Sequence, residues 1–166
     1  MNSMKKKIQI VDIVDQSENR NENIKKKSNK SIEWSTPADL YNELDQEFHF
    51  DCDVCATSQN AKTEKYYTKE EDGLKQEWHG NCFANPPYGK ELNKWVEKAF
   101  NSAINDEATT VMLLPVRSDT NWFHDYCLKS NDIRYLRGRL KFNDGEGSAP
   151  FPNMVVVFSK ETLGGN

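Results

Sequence analysis

The chain has 166 residues, 36% of them hydrophobic and 29% charged, with a formal net charge of −4. That is enough chain for one domain with a real core, and no apolar run approaches the roughly 20 residues a membrane-spanning helix needs. With no signal-peptide pattern either, the expectation is a soluble, intracellular, cytoplasmic protein with no membrane partner.

The charge is unevenly spread. Residues 1–33 hold eight Lys/Arg and five Asp/Glu, whereas the remainder holds 14 and 21. An acidic body with a basic leader does not coat nucleic acid by bulk charge, so any DNA contact must come from a local patch or from the leader. The four cysteines, Cys52, Cys55, Cys82 and Cys127, show no disulfide-framework spacing. Cys52-x2-Cys55 has no second pair to complete a zinc site, so buried thiols and no metal are expected.

Residues 1–33 open with Lys5-Lys6-Lys7, and Ile8–Asp15 forms a short strand or nothing. Between Asp15 and Glu33 only Ile24 and Ile32 are apolar. Such a segment buries too little surface to offset its ordering entropy, which makes it a flexible basic tail. It reads as a solvated leader, with a phosphate-binding arm as the other reading. The folded domain is expected over 34–166.

Trp34-Ser35-Thr36-Pro37 begins it. Thr36 fits a helix N-cap, Pro37 the first helical position and Asp39 the third, with Leu40, Tyr41, Leu44 and Phe48 on one face. Phe48–Ala56 reads as a strand ending in small residues. On it Asp51 and Asp53, two apart, share a face and suit the strand's carboxyl end, where a carboxylate meets a ligand hydroxyl or ammonium group; turn or cap carboxylates are the other reading. The polar stretch 57–81 holds an Asp72-Gly73 turn.

Cys82-Phe83-Ala84-Asn85-Pro86-Pro87-Tyr88-Gly89 is a short apolar run ending in an elbow. Two consecutive prolines exclude helix and hold Asn85 extended at the strand's carboxyl end, the edge where open α/β sheets bind ligands. Asn85 and the Pro86 carbonyl can both accept from one exocyclic NH2, and Tyr88 can stack on a flat base. The chemistry suggested is amino-methylation. Leu92, Trp95, Val96, Ala99, Phe100, Ala103 and Ile104 then give the strongest helix period in the chain.

Thr109–Pro115 is a continuous apolar run, as expected of a buried parallel strand. Arg117 and Asp119 leave its carboxyl end toward the substrate side, although Asp119 also suits a helix cap. The following helix carries Trp122, Phe123, Tyr126 and Cys127. Within it His124 reads as a packing or solvent residue. Ile133–Phe142 reads as a strand with Arg137, Arg139 and Lys141 on one outward face, Asn143–Asn153 as a loop, and Met154–Phe158 as a last strand. The alternation gives an α/β fold, a mostly parallel sheet ending in an antiparallel hairpin and abbreviated between its first strand and the Asn-Pro-Pro-Tyr strand.

The ordered set Trp34-Ser-Thr-Pro, Phe50-Asp-Cys-Asp-Val-Cys-Ala, Asn60-Ala-Lys, Asp72-Gly-Leu, Asn85-Pro-Pro-Tyr-Gly, Leu114-Pro-Val-Arg-Ser-Asp-Thr, Gly138-Arg-Leu-Lys-Phe and Ala149-Pro-Phe-Pro resembles the phage-type DNA N-6-adenine methyltransferases (Dam) over about 34–158. The resemblance implies a Rossmann-like, S-adenosylmethionine (AdoMet)-dependent fold with seven strands. It implies AdoMet as cofactor, DNA as partner, and a bacterial host cytoplasm with phage or prophage origin. It carries Asn85, Pro86, Pro87 and Tyr88 over as the catalytic motif and places Trp34, Thr36, Pro37, Asp51, Asp53, Cys55, Ala56 and Asp72 at the cofactor. Thr57 stands where the family's cofactor loop has Gly, and Glu70 and Glu71 are the remaining ribose candidates. Arg117, Asp119, Arg137, Arg139, Lys141, Phe142 and Phe151 fall on the substrate side, with Phe142 or Phe151 a second wall for a flipped adenine. A glutamine or RNA N-methyltransferase would share the elbow, and a non-catalytic AdoMet-fold module would share the sheet.

Overall fold

The computed structural model describes residues 34–142 and 147–164. The expected tail, 1–33, and the tip of the loop between the last two strands therefore lie outside the described residues. In chain order the elements are α1 (Ala38–Phe48), β1 (Cys52–Asp53), β2 (Lys65–Tyr66), β3 (Asn81–Ala84), α2 (Leu92–Asn105), β4 (Thr109–Pro115), α3 (Asn121–Asp125), β5 (Ile133–Tyr135) and β6 (Asn153–Phe158), with short 3-10 turns at Gly73–Lys75 and Cys127–Lys129.

The described strands form one six-stranded sheet in the order β2-β1-β3-β4-β6-β5. The first four pair in parallel, and β6 runs antiparallel to both β4 and β5. This is the expected mostly parallel α/β sheet with an antiparallel end, built from six described strands rather than seven.

Burial on both faces explains the unbroken apolar run of β4. Val111 and Leu113 pack with Leu40, Tyr41 and Leu44 of α1, whereas Met112 and Leu114 pack with Trp95, Val96 and Ala99 of α2. The same period of two divides β6, with Val155 and Val157 on the α1 side and Met154, Val156 and Phe158 on the α2 side. Helices therefore cover both faces, and the carboxyl ends of β1, β3 and β4 open in one direction. The α2 face holds except at its end, where Ile104 is 50% exposed.

Three local expectations are corrected. Pro37 adopts ψ 134°, an extended value, so α1 starts at Ala38, and Thr36 makes no capping bond. The strand expected over Phe48–Ala56 shrinks to Cys52–Asp53. Phe48 still belongs to α1, and His49 closes that helix in the left-handed region at φ 51°, donating its N–H to the Asp45 carbonyl. The strand expected over Ile133–Phe142 stops at Tyr135, because the chain turns and Gly138 takes φ 74°. Its alternation survives outside regular pairing: Leu140 and Phe142 are buried, while Arg137, Arg139 and Lys141 are exposed. A bridge from Lys141 to Ser148 and a bond from the Ala149 N–H to the Leu140 carbonyl hold the neck of that loop.

Candidate active site

A cavity of about 450 Å³ opens at the carboxyl ends of β1 and β3. Its walls include Trp34–Thr36 ahead of α1, Asp53–Thr57 at the end of β1, Asp72–Leu74, and Asn85–Pro87 after β3. Of the eight residues expected at a cofactor, Trp34, Thr36, Asp53, Cys55, Ala56 and Asp72 line it. Pro37 and Asp51 do not. Asp51 precedes β1 at the opposite end of the sheet and is exposed, and its Oδ2 accepts from the Asn81 N–H at 2.9 Å. The two aspartates thus do not converge, since β1 is too short to carry both.

Asp53 is the buried carboxylate of this cavity, 4% exposed. Its Oδ1 accepts from the Cys55 N–H at 3.2 Å, which turns the chain out of β1. Burial pushes its carboxyl up to about 7, against the pull of the Cys55 and Lys62 backbone N–H groups and the Lys62 charge. A carboxyl kept out of water at the wall of a cavity is a place for a ligand cation.

Gly73 shows how closely the walls approach. A Cβ there would stand 2.0 Å from the Val54 carbonyl oxygen, so only glycine lets the Asp72–Leu74 turn reach β1. Asp72 holds that turn from the left-handed region at φ 55°, its side chain accepting from the Leu74 N–H. Trp95 of α2 lies beneath, and together with Val54 and Leu74 it gives the cavity an apolar side.

Asn85 is fixed by what it donates. Its Nδ2 reaches the Trp34 carbonyl at 2.5 Å and Thr36 Oγ1 at 3.0 Å. A carbonyl only accepts, so the amide nitrogen must face Trp34, and Oδ1 is the atom left to accept. Thr36, expected as a helix cap, is instead a partner of Asn85.

Tyr88 lies outside the cavity lining. Its hydroxyl donates to the Leu113 carbonyl at 3.0 Å and accepts from Asn153 Nδ2 at 3.3 Å, and burial raises its phenol above the ordinary range. Its ring meets Phe151 edge-on at 5.4 Å. Phe151 also meets Trp34 at 6.1 Å, and Phe142 packs on Trp34 at 5.2 Å. Phe142 is only 1% exposed, so it supports Trp34 from the core rather than forming a wall against a base, whereas Phe151 is half-buried.

Arg117 lies near enough to Tyr88 for its charge to act on the phenol. Asp119 is exposed and does not cap α3, whose N-cap position is Thr120, with no side-chain capping bond. His124 is held by the Ser118 carbonyl, 2.7 Å from its Nε2. Glu70 and Glu71 are exposed, and Glu71 accepts from Thr68.

Several lining residues escaped the sequence reading: Asn60, Tyr67, Thr68 and Trp95 among them. Tyr67 and Thr68 arrive because β2 runs beside β1, with the Tyr67 N–H on the Asp53 carbonyl and the Ala56 N–H on the Tyr67 carbonyl. The adjacent Tyr66-Tyr67 pair was the available signal. Cys52, Cys82 and Cys127 are buried thiols, and no cluster of three or more metal-ligating side chains occurs among the described residues. No described helix is long and apolar enough to cross a membrane.

The sheet is mostly parallel with an antiparallel end, and Asn85, Pro86 and Pro87 stand in the wall of a cavity over its carboxyl edge. The family model described as DNA N-6-adenine-methyltransferase (Dam) matches residues 22–161. The chain belongs to that family, and its enzyme class is adenine-specific DNA methyltransferase. It is 34% identical to the DNA N-6-adenine-methyltransferase of Haemophilus phage HP1 over 80% of this chain and 81% of the relative. It is 30% identical to the enzyme of the same name from Escherichia phage T1, over 64% of this chain and 45% of that one. Among solved structures it is similar to SMU.472, a candidate methyltransferase complexed with SAH, at 14% identity and a TM-score of 0.35, covering 57% of this chain and 24% of that one.

Proposed function

We propose that this chain transfers a methyl group from AdoMet to N6 of an adenine flipped out of DNA, with Asn85 and the Pro86 carbonyl as the acceptors that activate the nitrogen. The observation that carries the reading is the orientation of Asn85: with Nδ2 occupied by Trp34 and Thr36, its remaining polar atom is an acceptor in a cavity wall.

The cavity suits AdoMet. Asp53 offers a buried carboxylate to the methionine ammonium group, and Val54, Leu74 and Trp95 offer apolar surface to a purine. AdoMet supplies an electrophilic methyl group on a sulfonium. The adenine N6 lone pair is delocalised into its ring and attacks poorly. Asn85 Oδ1 and the Pro86 carbonyl accept the two N6 hydrogens, favour a pyramidal nitrogen and stabilise the positive charge it gains as the C–S bond breaks. The nitrogen then releases its proton to water, so no side-chain base is required, and His124 stays on the Ser118 carbonyl. A base inside a duplex cannot reach the elbow, so flipping is needed, with Tyr88 replacing the lost stacking. The exposed cations Arg137, Arg139 and Lys141 favour a nucleic-acid substrate over a glutamine side chain.

Tritiated methyl incorporation into adenine of bacterial DNA tests this directly. Wild type should label DNA, and Asn85→Ala should label it roughly 100-fold more slowly or worse, as for loss of one preorganised hydrogen-bonding group elsewhere. Full activity in Asn85→Ala ends the catalytic reading.

A further inference from the structure

Asn153 is a buried amide with no part in the chemistry above. It stands at the first position of β6, opposite Pro115, and is 1% exposed. Its Nδ2 donates to the Leu114 carbonyl at 3.2 Å and to the Tyr88 hydroxyl at 3.3 Å. The Leu114 carbonyl can only accept, which fixes the amide's orientation. The Tyr88 hydroxyl spends its one proton on the Leu113 carbonyl, so toward Asn153 it accepts. The donor accounting closes in a single direction: Asn153 to Tyr88 to Leu113.

One atom is left over. Asn153 Oδ1 is buried with no partner among the described residues. An amide whose oxygen is stranded in the core is a liability that an apolar side chain of similar size avoids, so strand pairing alone does not favour asparagine here. What the amide provides is a second tether on the phenol. The hydroxyl end of Tyr88 is locked between two strands, while the ring itself is only half-buried and meets Phe151 edge-on.

We propose that Asn153 is a positioning residue for methyl transfer: acting through the Tyr88 hydroxyl, it fixes the plane on which the target base stacks, and so ties the antiparallel end of the sheet to the elbow. This rests on the reading of Tyr88 as the stacking ring for a flipped adenine. Small misplacement of a positioning group lowers turnover without touching cofactor affinity, because Asn153 lies outside the cavity lining.

The test is a double-mutant cycle on methyl transfer to DNA, with AdoMet affinity measured by calorimetry and folding by thermal melts. Asn153→Leu and Tyr88→Phe should each lower kcat by roughly 10- to 100-fold at unchanged AdoMet affinity, and the double variant should be no slower than the worse single. A merely structural asparagine would instead lower AdoMet affinity and melting temperature along with activity, and its effect would multiply with that of Tyr88→Phe; either result overturns the proposal. If Asn153→Leu fails to fold, wild-type kcat in Tyr88→Phe overturns it alone. Wild-type protein that labels no DNA overturns this and the proposed function together, whereas active wild type with an equally active Asn153→Leu overturns only the positioning role.

Discussion

Asp53, if it meets the AdoMet ammonium group as proposed, should set two pH dependences of opposite sign. An ordinary carboxyl in the unfolded chain titrates near 3.9, whereas burial holds this one at about 7 in the fold. Between those values the native state binds the proton more tightly than the unfolded chain does, so the stability of the cofactor-free protein falls as pH rises, and the full penalty is present above 7. Affinity for the AdoMet ammonium should run the other way, rising through about pH 7 as the carboxylate ionises. Asp53→Asn should flatten both slopes. At pH 8 it should raise the melting temperature of the cofactor-free protein while weakening AdoMet in a calorimetric titration. A variant that loses stability at pH 8 would refute the burial penalty on Asp53, and one that keeps its affinity would remove Asp53 from the cofactor site. Thr36 shows why residue roles are only partly legible from sequence. Its place before a proline fits a helix cap, but Pro37 is extended and the hydroxyl turns to Asn85, a partner 49 positions away. That contact exists only once the segment before α1 lies across the end of β3.

At the level of elements, α1 is stapled to the antiparallel end of the sheet by one side chain. Arg134 on β5 forks onto Glu47 of α1 at 2.6 and 2.8 Å and onto Asp132 at 2.8 and 2.9 Å, with its guanidinium 5.4 Å from the Phe48 ring. The arginine side chain is 15% exposed, so water screens these bonds poorly. Arg134→Ala should lower stability by about 2 kcal/mol, because it also leaves two partly buried carboxylates without their cation. Arg134→Lys should recover little of it, since an ammonium cannot make the paired fork. Urea midpoints for the two variants check this, and a lysine variant as stable as wild type would refute it. Long regular patterns were readable: the period of α2 and the apolar run of β4 both survive, since burial on a fixed face writes itself into the residues. The strand β2 and the short bounds of β1, read as the longer Phe48–Ala56, were not, each strand being two residues. Pairing to neighbours holds them, and neighbours leave no period in so short a stretch. The far half of the strand expected over Ile133–Phe142 was misread for a related reason. Its in-and-out alternation is real, but Gly138 takes it out of regular pairing, and alternation records burial rather than hydrogen bonding.

Across the whole molecule, the difficulty is how an acidic protein approaches a polyanion. Residues 34–166 carry 14 Lys/Arg against 21 Asp/Glu, so the long-range field of the body repels DNA and specific contacts must overcome it. Arg137, Arg139 and Lys141 are exposed, and the burial of Leu140 and Phe142 keeps the segment facing outward even though it leaves the sheet. Phe142 in turn packs on Trp34, whose carbonyl orients Asn85, so the cationic segment is joined to the elbow through two side chains. If these three cations grip phosphates, their role is sequence-independent and visible in salt. Changing all three to Gln should weaken binding to every DNA sequence alike and flatten the dependence of log affinity on log salt by about one unit per lost contact, with AdoMet affinity unchanged. Fluorescence anisotropy of labelled duplexes across a salt series measures the slope. An unaltered slope would place the phosphate contacts elsewhere on the chain, with the eight basic residues of 1–33 as the next segment to neutralise.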